Sequence, residues 1–155
     1  MRSKLLGWIF ALVAPLATAP SFAAELLPDP ARSPAEVIAI QLSALQANDT
    51  PGPDAGIAQT FAFAHPDNRR VTGPLSRFAQ MIKGPQYQVL LGHRSHEIRE
   101  VASTDKEAAF AVIVTSRDGE VVGFRWAVAR VADGEHAGAW MTIGVSPPVP
   151  VGRAI

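Results

Sequence analysis

The chain has 155 residues and a mass of 16.5 kDa, room for one domain and little more. With 48% apolar and 18% charged residues it is globular in composition, and 14 basic against 14 acidic residues leave no charge excess to hold nucleic acid or an anionic membrane. Cysteine is absent, which excludes disulfides, thiol catalysis, thiolate zinc sites, iron–sulfur clusters and a lipid-modified N-terminal cysteine.

Residues 1–23 read as a secretory signal. Arg2 and Lys4 give a positive start, residues 5–19 form an uncharged apolar run, and Ser21-Phe22-Ala23 places small residues at both ends of a cleavage tripeptide. A membrane-spanning helix needs roughly 20 apolar residues, and this run is shorter and carries Pro15. Cleavage after Ala23 leaves a mature chain with a net charge of about −2. The expected location is the periplasm, the exterior, or the lumen of an organelle of bacterial ancestry, with no membrane contact once the signal is gone. Lacking disulfides, such a domain must stabilise itself by burying apolar surface.

Residues 24–33, with Pro28 and Pro30, read as an extended leader. Ser33-Pro34-Ala35-Glu36 then opens a helix: Ser33 caps, Pro34 fits the first helical position and Glu36 completes a capping box. Ile38, Leu42 and Leu45 follow at helical spacing, beside Val37, and the Asn48-Asp49-Thr50-Pro51-Gly52-Pro53 cluster stops the helix. A second helix is predicted over 54–64, with Ile57, Phe61 and Ala64 on one face and His65-Pro66 ending it. A third short helix begins at Pro74, with Leu75, Phe78 and Met81/Ile82 apolar, and Gly84-Pro85 closes it.

Beyond Pro85 the period changes from helical to alternating. The pattern predicts a short strand over 86–91, a weak one over 94–101 and a third over 107–116. Arg117-Asp118-Gly119 makes a hairpin turn. A long strand over 120–131 puts Val122, Phe124, Trp126 and Val128 on one face, Asp133-Gly134 turns the chain, and 139–145 is the last strand. Residues 147–155 read as a tail, which leaves 34–146 as a single domain. Helices first and antiparallel strands after indicate an α+β domain, with N-terminal helices packed on a curved antiparallel sheet of four to five strands. Neither a βαβ alternation nor a glycine-rich phosphate loop is present in the sequence.

Three short helices followed by such a sheet resemble the nuclear transport factor 2-like, or cystatin-like, α+β roll. More narrowly, Phe61-Ala62-Phe63-Ala64, then Arg77-Phe78-Ala79-Gln80-Met81-Ile82 and Tyr87, with Asp133-Gly134 and Trp140 late in the chain, resemble a bacterial family known as domain of unknown function 4864. The resemblance spans roughly residues 34–145. It implies a cone whose sheet and helices enclose a pocket, with dimerisation through the outer sheet face. The family has no assigned activity, so it carries over no functional residue.

The residues themselves offer little chemistry. Asp49, Asp54, Asp67, Asp105, Asp118 and Asp133 fall in turns or at helix starts, Glu36 caps a helix, and Glu97 and Glu100 lie in the weakest strand beside Arg94 and Arg99. Solvated surface charge explains them better than the desolvated carboxylate that acid–base catalysis needs. His93 and His96, three apart in what reads as strand, should point to opposite faces and not converge on a metal. His136 sits in a glycine-rich turn, and Ser76, Ser95, Ser103 and Ser116 occupy no nucleophile elbow. No metal and no cofactor are expected. The aromatics are better placed: most should simply pack, yet a roll leaves an opening. The pocket is expected to use Phe61, His65, Tyr87, Trp126 and Trp140.

Arg125 and Ala127 fall on the opposite sheet face with Val121 and Ala129, suited to a sheet-to-sheet homodimer. Arg69-Arg70 reads as solvated. The sequence therefore suggests a non-catalytic exported module that takes a small, partly apolar ligand or a protein partner. The alternatives are a small enzyme using Tyr87, His65 or His93 for acid–base work, and a structural homodimer.

Overall fold

The computed structural model describes residues 25–153, so the expected signal at 1–23 lies outside the described residues. Four helices come first: α1 (Pro34–Gln46), α2 (Ala55–Ala62), α3 (Pro66–Thr72) and α4 (Leu75–Lys83). A five-stranded antiparallel sheet follows, built from β1 (Ser95–Ser103), β2 (Glu107–Thr115), β3 (Glu120–Arg130), β4 (Trp140–Val145) and β5 (Val149–Arg153). The α+β architecture is the one expected.

Helix α1 starts as its sequence dictates. Ser33 accepts from the Glu36 N–H at 3.3 Å, Glu36 accepts from the Ser33 N–H at 2.6 Å, and Pro34 opens the helix. The Ser33 backbone N–H, and after it the Ser33 hydroxyl, hold the exposed Glu36 carboxyl below the usual carboxylate range. Val37, Ile38, Leu42 and Leu45 are buried, each removal from water contributing about 1.5–3 kcal/mol. Helix α2 packs so closely against α1 that a Cβ at Gly56 would collide with the Ala44 carbonyl, and the Gly56 N–H bonds to the Asn48 carbonyl at 2.8 Å.

Strands β1 to β4 lie in sequence order, and β3 is long enough to serve two neighbours. Its Trp126–Arg130 half pairs with β4, and its Glu120–Gly123 half pairs with β5. Register shifts at Glu100/Ala102, Val121/Val122 and Ala127/Val128 bend these strands. Phe110, Val112, Val114, Val122, Phe124, Trp126 and Val128 face the helices and form the core with α1, α2 and α4. On the other face Arg125 is exposed and Ala127 and Val121 are half-buried, while Ala129 is buried.

Four expectations are corrected. His65-Pro66 does not end a helical region but opens α3: Pro66 takes the first helical position, and the His65 ring accepts from the Asp67 N–H at 3.2 Å. Helix α2 has already stopped at Ala62, and Ala64 bridges to Thr142 of β4. Residues 86–91 contain a single 3₁₀ turn, Gln88–Leu90, and no strand, since Gly84 and Tyr87 carbonyls capture the N–H groups of Gln88 and Leu90. The segment read as a tail from 147 adds β5, because β3 extends past the end of β4 and offers it an unpaired edge.

Candidate functional site

Helices and sheet do not close on each other completely. Between α1, α2, α3, α4 and the inner sheet face lies a cavity of about 150 Å³. Its buried lining is apolar at Leu45, Ala64, Phe78, Ile82, Leu90 and Trp126 and polar at Gln41, Thr60 and Thr142. Half-buried Asn68, Thr72, Met81, Tyr87 and Val145 surround the mouth. A larger, open groove of about 850 Å³ crosses the outer side of α1 and α2, past Ile40, Ala44, Ala47 and Ala58. Part of its wall is the leader, whose Leu26 backbone is clamped at both its N–H and its carbonyl by the Gln59 side-chain amide at 2.8 and 2.6 Å. An open surface of this kind leaves most of a small molecule in water, so the enclosed cavity is the better candidate.

A buried polar network ends the cavity. Trp126 Nε1 donates to Gln41 Oε1 at 3.2 Å and to Thr142 Oγ1 at 3.1 Å, and the Thr142 hydroxyl donates to Gln41 Oε1 at 2.6 Å. Gln41 Nε2 donates to the Thr60 carbonyl at 3.0 Å, and the Thr60 hydroxyl to the Gly56 carbonyl at 2.8 Å. Each member satisfies another, which is what permits polar atoms so deep in the core. At the mouth Tyr87 donates to the Val145 carbonyl at 3.0 Å and stacks on Phe124, centroids 6.3 Å apart. Asn68 Nδ2 donates to the Thr142 carbonyl at 3.2 Å, and the Thr72 hydroxyl to the Asn68 carbonyl at 2.9 Å.

Of the five residues expected at the pocket, Tyr87 and Trp126 line the cavity. Phe61 tilts against Phe78 at 5.1 Å, with the Arg69 guanidinium over its ring. His65 is taken up by the α3 cap, and Trp140 packs beneath the Arg130 guanidinium at 4.7 Å. Gln41, Thr60 and Thr142 were not singled out from the sequence. Gln41 had left a signal, since it stands three residues after Ile38 and four before Leu45, a polar side chain on the buried stripe.

The ionisable groups lie mostly elsewhere. Among the lining residues Tyr87 alone titrates, and burial pushes its pKa up, so at neutral pH it keeps its proton and is no base. His93 and His96 do converge, against expectation, because β1 begins only at Ser95 and His93 precedes its alternation. Buried His93 places Nδ1 at 2.7 Å from the Leu90 carbonyl and Nε2 at 2.7 Å from His96 Nδ1. The carbonyl can only accept, so Nδ1 of His93 carries the proton and Nε2 accepts from His96. Burial lowers both pKa values; in His93 the Leu90 bond opposes the shift and His96 adds to it. Two histidines make half a metal site: among the described residues no three His, Asp or Glu side chains gather as ligands. No described helix is long and apolar enough to cross a membrane.

No curated protein and no solved structure matches the chain. The family model described as domain of unknown function (DUF4864) matches residues 31–146, from the turn before α1 to the end of β4. The chain is a member of that family, as the aromatic and helix-start residues suggested.

Proposed function

We propose that this domain is an exported, non-catalytic binding module that holds a small, partly apolar molecule between its four helices and the inner face of its sheet. The observation that carries the reading is the cavity of about 150 Å³, whose buried lining is largely apolar and whose half-buried mouth mixes Asn68, Thr72 and Tyr87 with Met81 and Val145. Its lining lacks a paired acid and base, which favours binding over turnover at this site. The N-terminal pattern of Arg2, Lys4 and the apolar run supports export.

Native mass spectrometry of the protein purified from the compartment that receives it tests this. A small added mass should be released on denaturation and be missing from Thr72→Phe, which plugs the mouth. The same added mass on Thr72→Phe and on the deeper Ile82→Phe would place the ligand outside the cavity and defeat the reading.

A second reading rests on the outer sheet face, where Arg125 is exposed and β5 presents Val149 and Val151, more than half exposed. A second copy of the chain could cover this face. Arg125→Glu would then give monomers in the same spectrum, and an unchanged oligomeric state would count against it.

A further inference from the structure

We infer that the cavity selects an uncharged molecule about the size of one aromatic ring that donates a hydrogen bond at the mouth, a phenol-like compound as opposed to a carboxylate or a ketone. This inference rests on the reading of the cavity as a binding site and names what that site takes.

Volume sets the size. About 150 Å³ is the space that, in a purely apolar cavity of another protein, admits benzene. The walls suit a ring, with Phe78, Trp126, Leu45, Ile82 and Leu90 at the buried end. Charge is excluded by the lining, which holds no Lys, Arg or His for an anion and no Asp or Glu for a cation. A carboxylate or ammonium there would lose its water without gaining a partner.

Hydrogen-bond capacity then sets polarity. Most of the deep polar capacity is spent within the network, as Gln41 Oε1 already accepts from Trp126 and Thr142 and Gln41 Nε2 gives one of its two hydrogens to the Thr60 carbonyl. At the mouth the hydroxyl hydrogens are also spent: that of Tyr87 goes to Val145 and that of Thr72 to the Asn68 backbone. Asn68 uses an amide hydrogen on Thr142, which turns its Oδ1 to a position with no intramolecular donor. What remains at the opening is chiefly lone pairs, on Tyr87 Oη, Thr72 Oγ1 and Asn68 Oδ1. A ligand that donates finds partners, and one that only accepts competes for two leftover amide hydrogens, one each on Asn68 and Gln41.

Titration calorimetry of the purified protein with phenol, benzene, acetophenone and benzoate tests the assignment. Phenol is expected to bind about tenfold tighter than benzene, the worth of one good hydrogen bond. Acetophenone and benzoate are expected to bind more weakly than phenol. Thr72→Val should bring phenol down toward benzene while benzene itself is held, and Asn68→Leu, which also removes an anchor of α3, should weaken phenol more than benzene. Benzene binding as tightly as phenol, or preference for acetophenone or benzoate, would overturn the donor assignment and leave the binding reading standing. Failure of all four probes to bind would overturn both.

Discussion

Helices α1 and α3 begin alike and are held very differently. Each follows a capping side chain, Ser33 or His65, and each has proline in its first turn. Helix α1 then buries Val37, Ile38, Gln41, Leu42 and Leu45, whereas α3 buries no residue and leaves Val71 69% exposed. It hangs on polar contacts: Asn68 to Thr142, Arg69 Nη2 to the Ala62 carbonyl at 2.7 Å, and the Arg70–Asp67 pair on its surface. A cap decides where a helix starts, and burial decides how firmly it stays. The same cavity therefore has a rigid wall in α1 and a loosely held one in α3, the arrangement an enclosed site needs if a ligand is to enter.

The comparison breaks most visibly at Leu42. Leu42→Ala should cost about 3 kcal/mol in chemical denaturation, while Val71→Ala on α3 should stay within about 0.5 kcal/mol. Near-equal losses would contradict the division. Gln41→Leu is expected to cost about 2 kcal/mol by stripping Trp126 and Thr142 of a shared acceptor, and a neutral result would mean the network is not needed. Ser33→Ala should cost about 1 kcal/mol through loss of the α1 cap.

Buried His93 and half-buried His96 give a smaller, pH-linked test. Burial lowers the pKa of His93 and His96 in the folded protein from the ordinary 6.5, so on acidification the unfolded chain takes up protons first. The stability they lend is fully present above about pH 6.5 and is lost as pH falls through their lower folded values. Melting temperatures measured from pH 8 down to about pH 5 should show this decline. A His93→Leu/His96→Leu variant should flatten it, and an unchanged slope would assign the loss to other groups. Least of all, His65→Ala should leave global stability nearly intact yet speed amide exchange in α3; protection of Arg69 and Gly73 N–H groups equal to that of α1 would show that α3 is not the looser wall.

Much of this was legible from the chain. The capping box at Ser33–Glu36, the apolar stripe of α1 and the alternation of Val122, Phe124, Trp126 and Val128 each express one strong local rule, and each is found in place. The errors share a cause. His65-Pro66 satisfies two rules at once, a stop for the residue before proline and a start for the helix after it, and only the partners on β4 favour the start. Strand β5 depends on the spare length of β3, a property of the pairing and not of residues 149–153. Gln41 and Thr142 meet across 101 residues of sequence, beyond the reach of any local pattern, so Tyr87 and Trp126 stood out as aromatics while the polar partners of Trp126 did not.

The most direct test of the cavity is an NMR measurement of the protein with phenol, reading magnetisation transfer from the ring protons to side-chain methyl groups. Binding in the cavity predicts transfer to Met81, Ile82, Leu45 and Leu90. Transfer to Ile40, Ala44 and Ala58 would place the molecule in the open groove over α1 and α2 and contradict the account, as would saturable binding with no transfer to either set.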